Sequence, residues 1–342
     1  MQWIIRTLLV LTAMSLAAGI YLYSHITAPA LKIEPDDTIF IHIKTGSTFE
    51  DLYKQLNDDF KLIRPRLFRQ LSYRMNFHTN INPGRYKLNG NMDLIELIRL
   101  LRSGNQTPVD VTFNNIRFAH QLAGRVAKQI EADSAGLIAL MQNADYLAQF
   151  GITPRQLPAM MIPNTYEFFW NSTPEQFMKR MHRESERFWG TEKRQARLAA
   201  LGLNRHEVVT LASIVEAESK KDDEKPRVAG VFINRLRRGM FLQADPTVIF
   251  ATGDFTIRRV LNRHKAVDSP YNTYLNPGLP PGPIAFPSIR AIDAVLNYEN
   301  HNYYFFCARE DFSGYHNFSR TYREHIIHAR RYQQALDRLN IR

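Results

Sequence analysis

From Thr7 to Tyr23 the chain carries no charged residue, and that run constrains the fold more than any other feature. Backbone polar groups in hydrocarbon must be satisfied internally, which leaves a helix as the structure for one isolated span. Leu8 to Tyr23 is about long enough to cross a bilayer, and Trp3, Tyr21 and Tyr23 stand at its ends, where aromatic rings favour the interface. Arg6 lies just before the run, an asymmetry that favours a cytoplasmic N-terminus with the remainder outside. Ala17-Ala18-Gly19 offers a competing cleaved signal peptide. The apolar run continues past those small residues, so the expectation is an uncleaved single-pass anchor over residues 1–24.

The remaining residues fold in water. With 342 residues, 44% hydrophobic and 23% charged, the chain can bury more than one core. A formal charge of +11 points to an anionic partner, for which nucleic acid, an acidic bilayer and a carboxylate-bearing wall polymer all qualify. Zinc-finger spacing, basic runs interleaved with aromatics and RNA-recognition signatures are missing, so nucleic acid is not the expected partner. Cys307 is the single cysteine, which excludes a disulfide framework within the chain and a CxxC metal pair. It sits in Tyr303–Ala308, a run with the pattern of a buried strand.

Pro29, Pro35 and scattered polar groups make residues 25–37 a short linker. A small α+β module over 38–105 follows: a strand at Thr38–Ile43, helices at Thr48–Leu56 and Pro65–Met75, a strand at Gly84–Leu88 and a helix at Leu94–Leu101. A larger α+β domain over 106–342 opens with a strand at Val109–Phe113. Helical patterns then cover Phe118–Ile130, Ser134–Ala144, Pro174–Phe188, Asn204–Ser219, Pro226–Arg237 and Thr321–Leu339. Ser269–Pro287 is rich in Pro, Gly, Asn and Tyr, and its aromatics favour an ordered binding loop.

The constellation with most chemical content is Leu211–Ser219. Val208, Leu211, Ala212 and Val215 fall at helical spacing and define a buried stripe that ends in Glu216 and Glu218. Two residues apart on a helix, these carboxylates point to nearly opposite sides. At least one should sit at a core margin, where desolvation raises its pKa toward that of a general acid. Periodicity leaves open which one. Gln243, Asp245, Tyr271, Asn272 and Tyr274 carry amide, carboxylate and phenol groups that bond polar ligand groups and aromatic faces that stack on apolar surfaces. For Asp245 the alternative is a helix N-cap, because Asp-Pro before an apolar run is a helix-start signal. His316 could reach the same place, or could be a structural histidine.

Ile214–Ser219, Arg227–Leu236, Gly239–Val248, Ser269–Tyr274 and Gly278–Ile284, in that order, resemble the MltG (YceG-like) family of endolytic murein transglycosylases. The Lys-Thr-Gly-Ser turn after the first strand and Pro-Gly-Arg-Tyr before the second resemble the LysM-like subdomain that precedes the catalytic domain in such enzymes. The resemblance implies that Glu218, followed by Ser219, is the only acid/base, on a core helix, first protonating the glycosidic oxygen and then, as carboxylate, deprotonating the sugar's C6 hydroxyl; Gln243, Asp245, Tyr271, Asn272 and Tyr274 would line the rest of the cleft for a polyhydroxylated substrate, with no second carboxylate, metal or cofactor required. It implies a peptidoglycan substrate cut between N-acetylmuramic acid and N-acetylglucosamine to leave a 1,6-anhydro end. It implies an inner-membrane location, and penicillin-binding proteins as partners. Met160–Tyr166 departs from the family pattern in lacking the carboxylates often found there. Two rival readings stand beside it: a two-carboxylate muramidase using Asp245, and a non-catalytic scaffold that binds peptidoglycan.

Overall fold

A computed structural model describes residues 2–34 and 37–338. The chain divides into two compact units, the first running to Val111 and including Gln129–Glu131 and Glu167–Ser172, the second holding the rest.

The first unit begins with α1 (Gln2–Thr27), whose apolar side chains are exposed along its length. Its segment Trp3–Thr27 is long and apolar enough to cross a membrane. The described part of the 25–37 stretch differs from a free linker: Ala30 and Leu31 are buried, and Leu31 bridges Leu62. Arg64 donates to the carbonyls of Ala28 and Pro29, placing a cation at the helix C-terminus, where the dipole favours it. A Cβ at Gly90 would collide with the Ile33 carbonyl, so only glycine lets this stretch lie so close. Pro35 and Asp36 lie outside the described residues. If α1 is retained, N-terminal sequencing of protein extracted from membranes should read from the first residues. A chain beginning near Gly19 or Ile20 would identify a cleaved signal peptide.

β1 (Thr38–Ile43) and β2 (Gly84–Asn89) pair antiparallel in the register Thr38↔Asn89 to Ile43↔Gly84. Between them come α2 (Phe49–Asp58) and α3 (Pro65–Arg74), and after them α4 (Leu94–Ser103). Each start is encoded locally: capping boxes Thr48/Asp51 and Asp93/Glu96 open α2 and α4, and Pro65 opens α3. Ile41, Leu52, Leu56, Phe68, Tyr86, Leu97 and Leu101 form the core. Glu131 accepts the Thr45 amide at 2.8 Å and hydroxyl at 2.6 Å, while its own amide donates to the Trp170 carbonyl.

From β3 (Val109–Phe113) the chain enters α5 (Ala119–Val126), α6 (Ser134–Gln142) and two short helices, α7 (Ala144–Ala148) and α8 (Leu157–Met160). The helix expected over Phe118–Ile130 stops at Val126. The one expected to reach Ala144 stops at Gln142 because the Asn143 side chain caps α7 through the Tyr146 amide. Then follow β4 (Asn164–Phe168), paired with β3, and α9 (Pro174–Trp189), α10 (Glu192–Leu201), α11 (Arg205–Glu218), α12 (Lys225–Arg237) and α13 (Asp245–Thr252). The short α14 (Asn262–Lys265), α15 (Ile289–Leu296), the hairpin β5 (Phe305–Ala308) with β6 (His316–Ser319) and α16 (Tyr322–Arg338) complete it. Leu339 lies outside the described residues.

The second unit is built around α11. Every residue from Val208 to Val215 is buried, so the four-residue stripe in the sequence understates a helix enclosed on all sides. Its polar members are satisfied: Thr210 donates to the His206 carbonyl, and Ser213 donates to the Thr210 carbonyl while accepting the Ile284 amide. Trp189, Phe232, Ile292 and Val295 pack around it.

Candidate active site

An Asn204/Glu207 capping box opens α11, and Glu218 is its last residue. Ser219 ends the helix with its side chain turned inward, 1% exposed. The Ser219 hydroxyl accepts the Lys221 amide at 3.1 Å and donates to Glu224 Oε2 at 3.2 Å. Ser219 thus fixes the terminus from which Glu218 projects, and its hydroxyl is spent on protein partners.

Glu218 opens into a cavity of about 290 Å³. Arg235 of α12, Gln243, Asp245, Tyr274, the hairpin residues Phe306, Cys307 and His316, and His325 of α16 share its walls. Desolvation is the largest influence on the Glu218 carboxyl, followed by the negative charge of Asp245. Together they push its pKa up to about 8, against the opposing pull of the Arg235 guanidinium and the Asp245 amide. A carboxylate at a helix C-terminus also meets the negative end of the helix dipole. The group therefore rests protonated at neutral pH, the state a general acid requires.

Four of the seven residues proposed from sequence meet here: Glu218, Gln243, Asp245 and Tyr274. Asp245 is the first residue of α13 and not its cap, which falls at Ala244 without a side-chain bond. The Asp245 carboxylate accepts the Tyr274 hydroxyl at 2.7 Å. Gln243 adopts a left-handed backbone, φ 51°, costly for a non-glycine residue. Its amide bonds the Thr273 carbonyl at 3.0 Å, and the Ala244 amide bonds the Thr273 hydroxyl at 3.0 Å.

The other three take different places. Ser219 is the helix stop just described. Asn272 is fully buried, donating to the carbonyls of Lys265 and Val267 and accepting the Tyr274 amide. It shapes the loop that carries Tyr274, and no polar atom remains for a ligand. Tyr271 packs on Phe250, ring centres 4.7 Å apart, outside the Glu218 cavity. Ser219 is spent on the end of α11, Asn272 on the irregular backbone of its own loop and Tyr271 on packing against α13.

Arg235 was not singled out from sequence, although a guanidinium inside the apolar run of α12 is the signal that could have found it. Only 7% exposed, it donates to the carbonyls of Tyr304 at 2.6 Å and Leu242 at 2.7 Å. It holds the hairpin and the loop before α13 around the cavity. Glu216 points elsewhere, accepting the amide and hydroxyl of Ser288, the N-cap of α15. Among the described residues, no group of three or more His, Cys, Asp or Glu side chains is arranged to hold a metal ion.

The sequence profile of the YceG-like family matches residues 41–331. The chain belongs to that family.

Among its relatives is the endolytic murein transglycosylase of Bacillus subtilis, 28% identical over 323 residues, an alignment covering 90% of this chain and 88% of that protein. The endolytic murein transglycosylase of Streptococcus pneumoniae is 26% identical over 336 residues, covering 87% of this chain and 59% of the longer relative. The crystal structure of a yceG-like protein from Listeria monocytogenes is 28% identical, with a TM-score of 0.55 over 85% of this chain and 99% of that one.

The Met160–Tyr166 stretch of this YceG-like chain does not line the Glu218 cavity. The Tyr166 hydroxyl donates to the Ile162 carbonyl at 2.6 Å, and its ring stacks 5.9 Å from Phe113. A larger cavity of about 730 Å³ lies at the opposite end of α11, lined by Phe150, Met160, His182, Leu198 and His206 among others. Twelve residues separate His206 from Glu218, about 18 Å along the helix axis. Its one carboxylate, Glu186, is paired with Arg205.

Proposed function

We propose that this protein is an endolytic lytic transglycosylase of peptidoglycan and that Glu218 is its catalytic acid. The observation carrying this reading is a carboxyl held protonated at neutral pH at the edge of a cavity lined by hydrogen-bonding and aromatic side chains. Two relatives bear the name endolytic murein transglycosylase.

In this mechanism Glu218 donates its proton to the oxygen linking N-acetylmuramic acid to N-acetylglucosamine as that bond breaks. The C6 hydroxyl of the muramoyl sugar then closes on C1, losing its proton to a base in the site, so no water enters the product. Asp245 supports both halves: its charge keeps Glu218 protonated and opposes the positive charge developing on the sugar ring. Tyr274 holds Asp245 in place. Gln243 offers an amide to sugar hydroxyls.

The first unit, with its β1, α2, α3, β2, α4 order, serves as a LysM-like module near the glycan. α1 serves as a single-pass anchor in the inner membrane, with the N-terminus cytoplasmic and the catalytic unit outside, where penicillin-binding proteins build the wall.

Mass spectrometry of products from isolated murein tests the reaction. The expected products end in 1,6-anhydro-N-acetylmuramic acid, and reducing ends would move the muramidase reading into first place. Asp245→Asn separates the two: it should still form anhydro ends, with the optimum moved to lower pH as Glu218 loses the charge that raises its pKa. Loss of all activity comparable to Glu218→Gln would instead mark Asp245 as a second essential carboxylate.

A further inference from the structure

The Glu218 cavity contains a second acid/base assembly. Glu224, just before α12, is 4% exposed, and both its oxygens are committed: Oε1 accepts the His316 amide at 2.8 Å, and Oε2 lies 2.6 Å from His316 Nδ1. Burial pushes the Glu224 carboxyl up, but the bonds from His316 outweigh it and hold the pKa below the usual glutamate value. The carboxylate is therefore ionised and can only accept, which places the imidazole proton on Nδ1. Nε2 is left as the acceptor, with no protein partner among the described residues, on a side chain that lines the cavity. Phe306 packs against the ring at 85°, centres 5.3 Å apart.

We propose that His316, oriented by Glu224, is the base that accepts the C6 hydroxyl proton in the anhydro-forming step. This rests on the transglycosylase reading above and divides its acid and base between two residues. Glu218 gives its proton to the departing glycosidic oxygen as the C1–oxygen bond breaks. The C6 oxygen forms its bond to C1, and its proton moves to Nε2. The resulting imidazolium faces the buried Glu224 carboxylate, which stabilises it. Solvent then removes the His316 proton and returns one to Glu218, so both groups are reset and nothing else is consumed.

A purely structural histidine would need only the Nδ1 side of this arrangement. His316→Asn isolates the difference, because the Asn amide can keep the Glu224 bond while the Nε2 acceptor disappears. The titratable groups sharing the cavity with His316 are Glu218, Asp245, Arg235, Tyr274, Cys307, Tyr322 and His325, with Glu224 behind it. His325, whose Nδ1 has no partner and which no carboxylate orients, is the control.

The experiment follows anhydro-end formation from isolated murein against pH, with thermal melts of each full-length variant. Wild type should show a bell: activity falls on the alkaline side as Glu218 ionises, and on the acid side because the base that takes the C6 proton must be free to accept it. His316→Asn should melt like wild type, lose about a hundredfold in kcat with little change in KM, and lose the acid limb. His325→Asn should keep that limb. Glu224→Gln should reduce kcat while still folding, because its amide donates to Nδ1 and moves the imidazole proton to Nε2. A folded His316→Asn with kcat within threefold of wild type, or with an unchanged acid limb, would overturn the proposal while leaving Glu218 as sole acid and base. Activity surviving in Glu218→Gln would remove the transglycosylase reading itself.

Discussion

Glu218→Gln is expected to lower anhydro-end formation from isolated murein by about a hundredfold to ten-thousandfold, the usual contribution of a positioned general acid. Glutamine keeps the size of the side chain and can still accept the Asp245 amide, but it has no proton to give. The fold should survive, since the side chain projects into a cavity and not into the packed core around α11. Glu216→Gln is the matched control on the same helix. Its carboxylate bonds the Ser288 amide and hydroxyl, so the substitution should cost stability at the start of α15 and leave turnover within a few-fold of wild type. Full activity in a folded Glu218→Gln protein would exclude Glu218 as the acid.

Periodicity distinguished these two glutamates as a pair but could not rank them, and the choice of Glu218 came from the family resemblance alone. Periodicity placed them on different edges of a helix, and that geometry holds: Glu216 reaches α15, while Glu218 reaches the loop before α13 and the hairpin. The ranking depends on what each edge meets in space, which only the distant segments supply. The same limit applies to Asn272 and Ser219. Their motif positions were legible, but a short polar side chain suits a ligand and a turn equally well. The structure spends Asn272 on the backbone of its Pro-, Gly- and Asn-rich loop and Ser219 on the Lys221 amide and the Glu224 carboxylate at the end of α11. The alternation of β1 was readable because it is local. The α10 and α15 helices were not read from the sequence, and α15 owes its place to packing on α11 through Ile292 and Val295. Arg235 and Glu224 escaped because a charged residue's burial is a tertiary property. Each lies in a helix or at its start, where the bland expectation is solvent.

The raised Glu218 pKa carries a stability consequence with a definite sign. In the folded protein the group titrates at about 8 against 4.5 in an open chain. Between those values the folded state binds a proton that the unfolded state has lost, so stability falls as pH rises through this window. Below 4.5 both states are protonated and the site costs nothing by this route. Above about 8 the folded protein must hold a carboxylate in a desolvated place beside Asp245. Taken at 1.36 kcal/mol per pKa unit, the full shift would amount to about 5 kcal/mol. Glu218 is part-exposed to its cavity, and solvent screening trims this to about 2 to 4 kcal/mol. Glu218→Gln cannot ionise and escapes the penalty. Its melting temperature should match wild type near pH 4.5 and exceed it at pH 8.5 by about 5 to 15 °C, at a few degrees per kcal/mol for a unit of this size. Differential scanning calorimetry of both proteins across that range measures the widening gap. A constant difference from pH 4.5 to 8.5 would mean that Glu218 ionises freely in the folded protein, and the resting acid would then have to be sought elsewhere in the cavity.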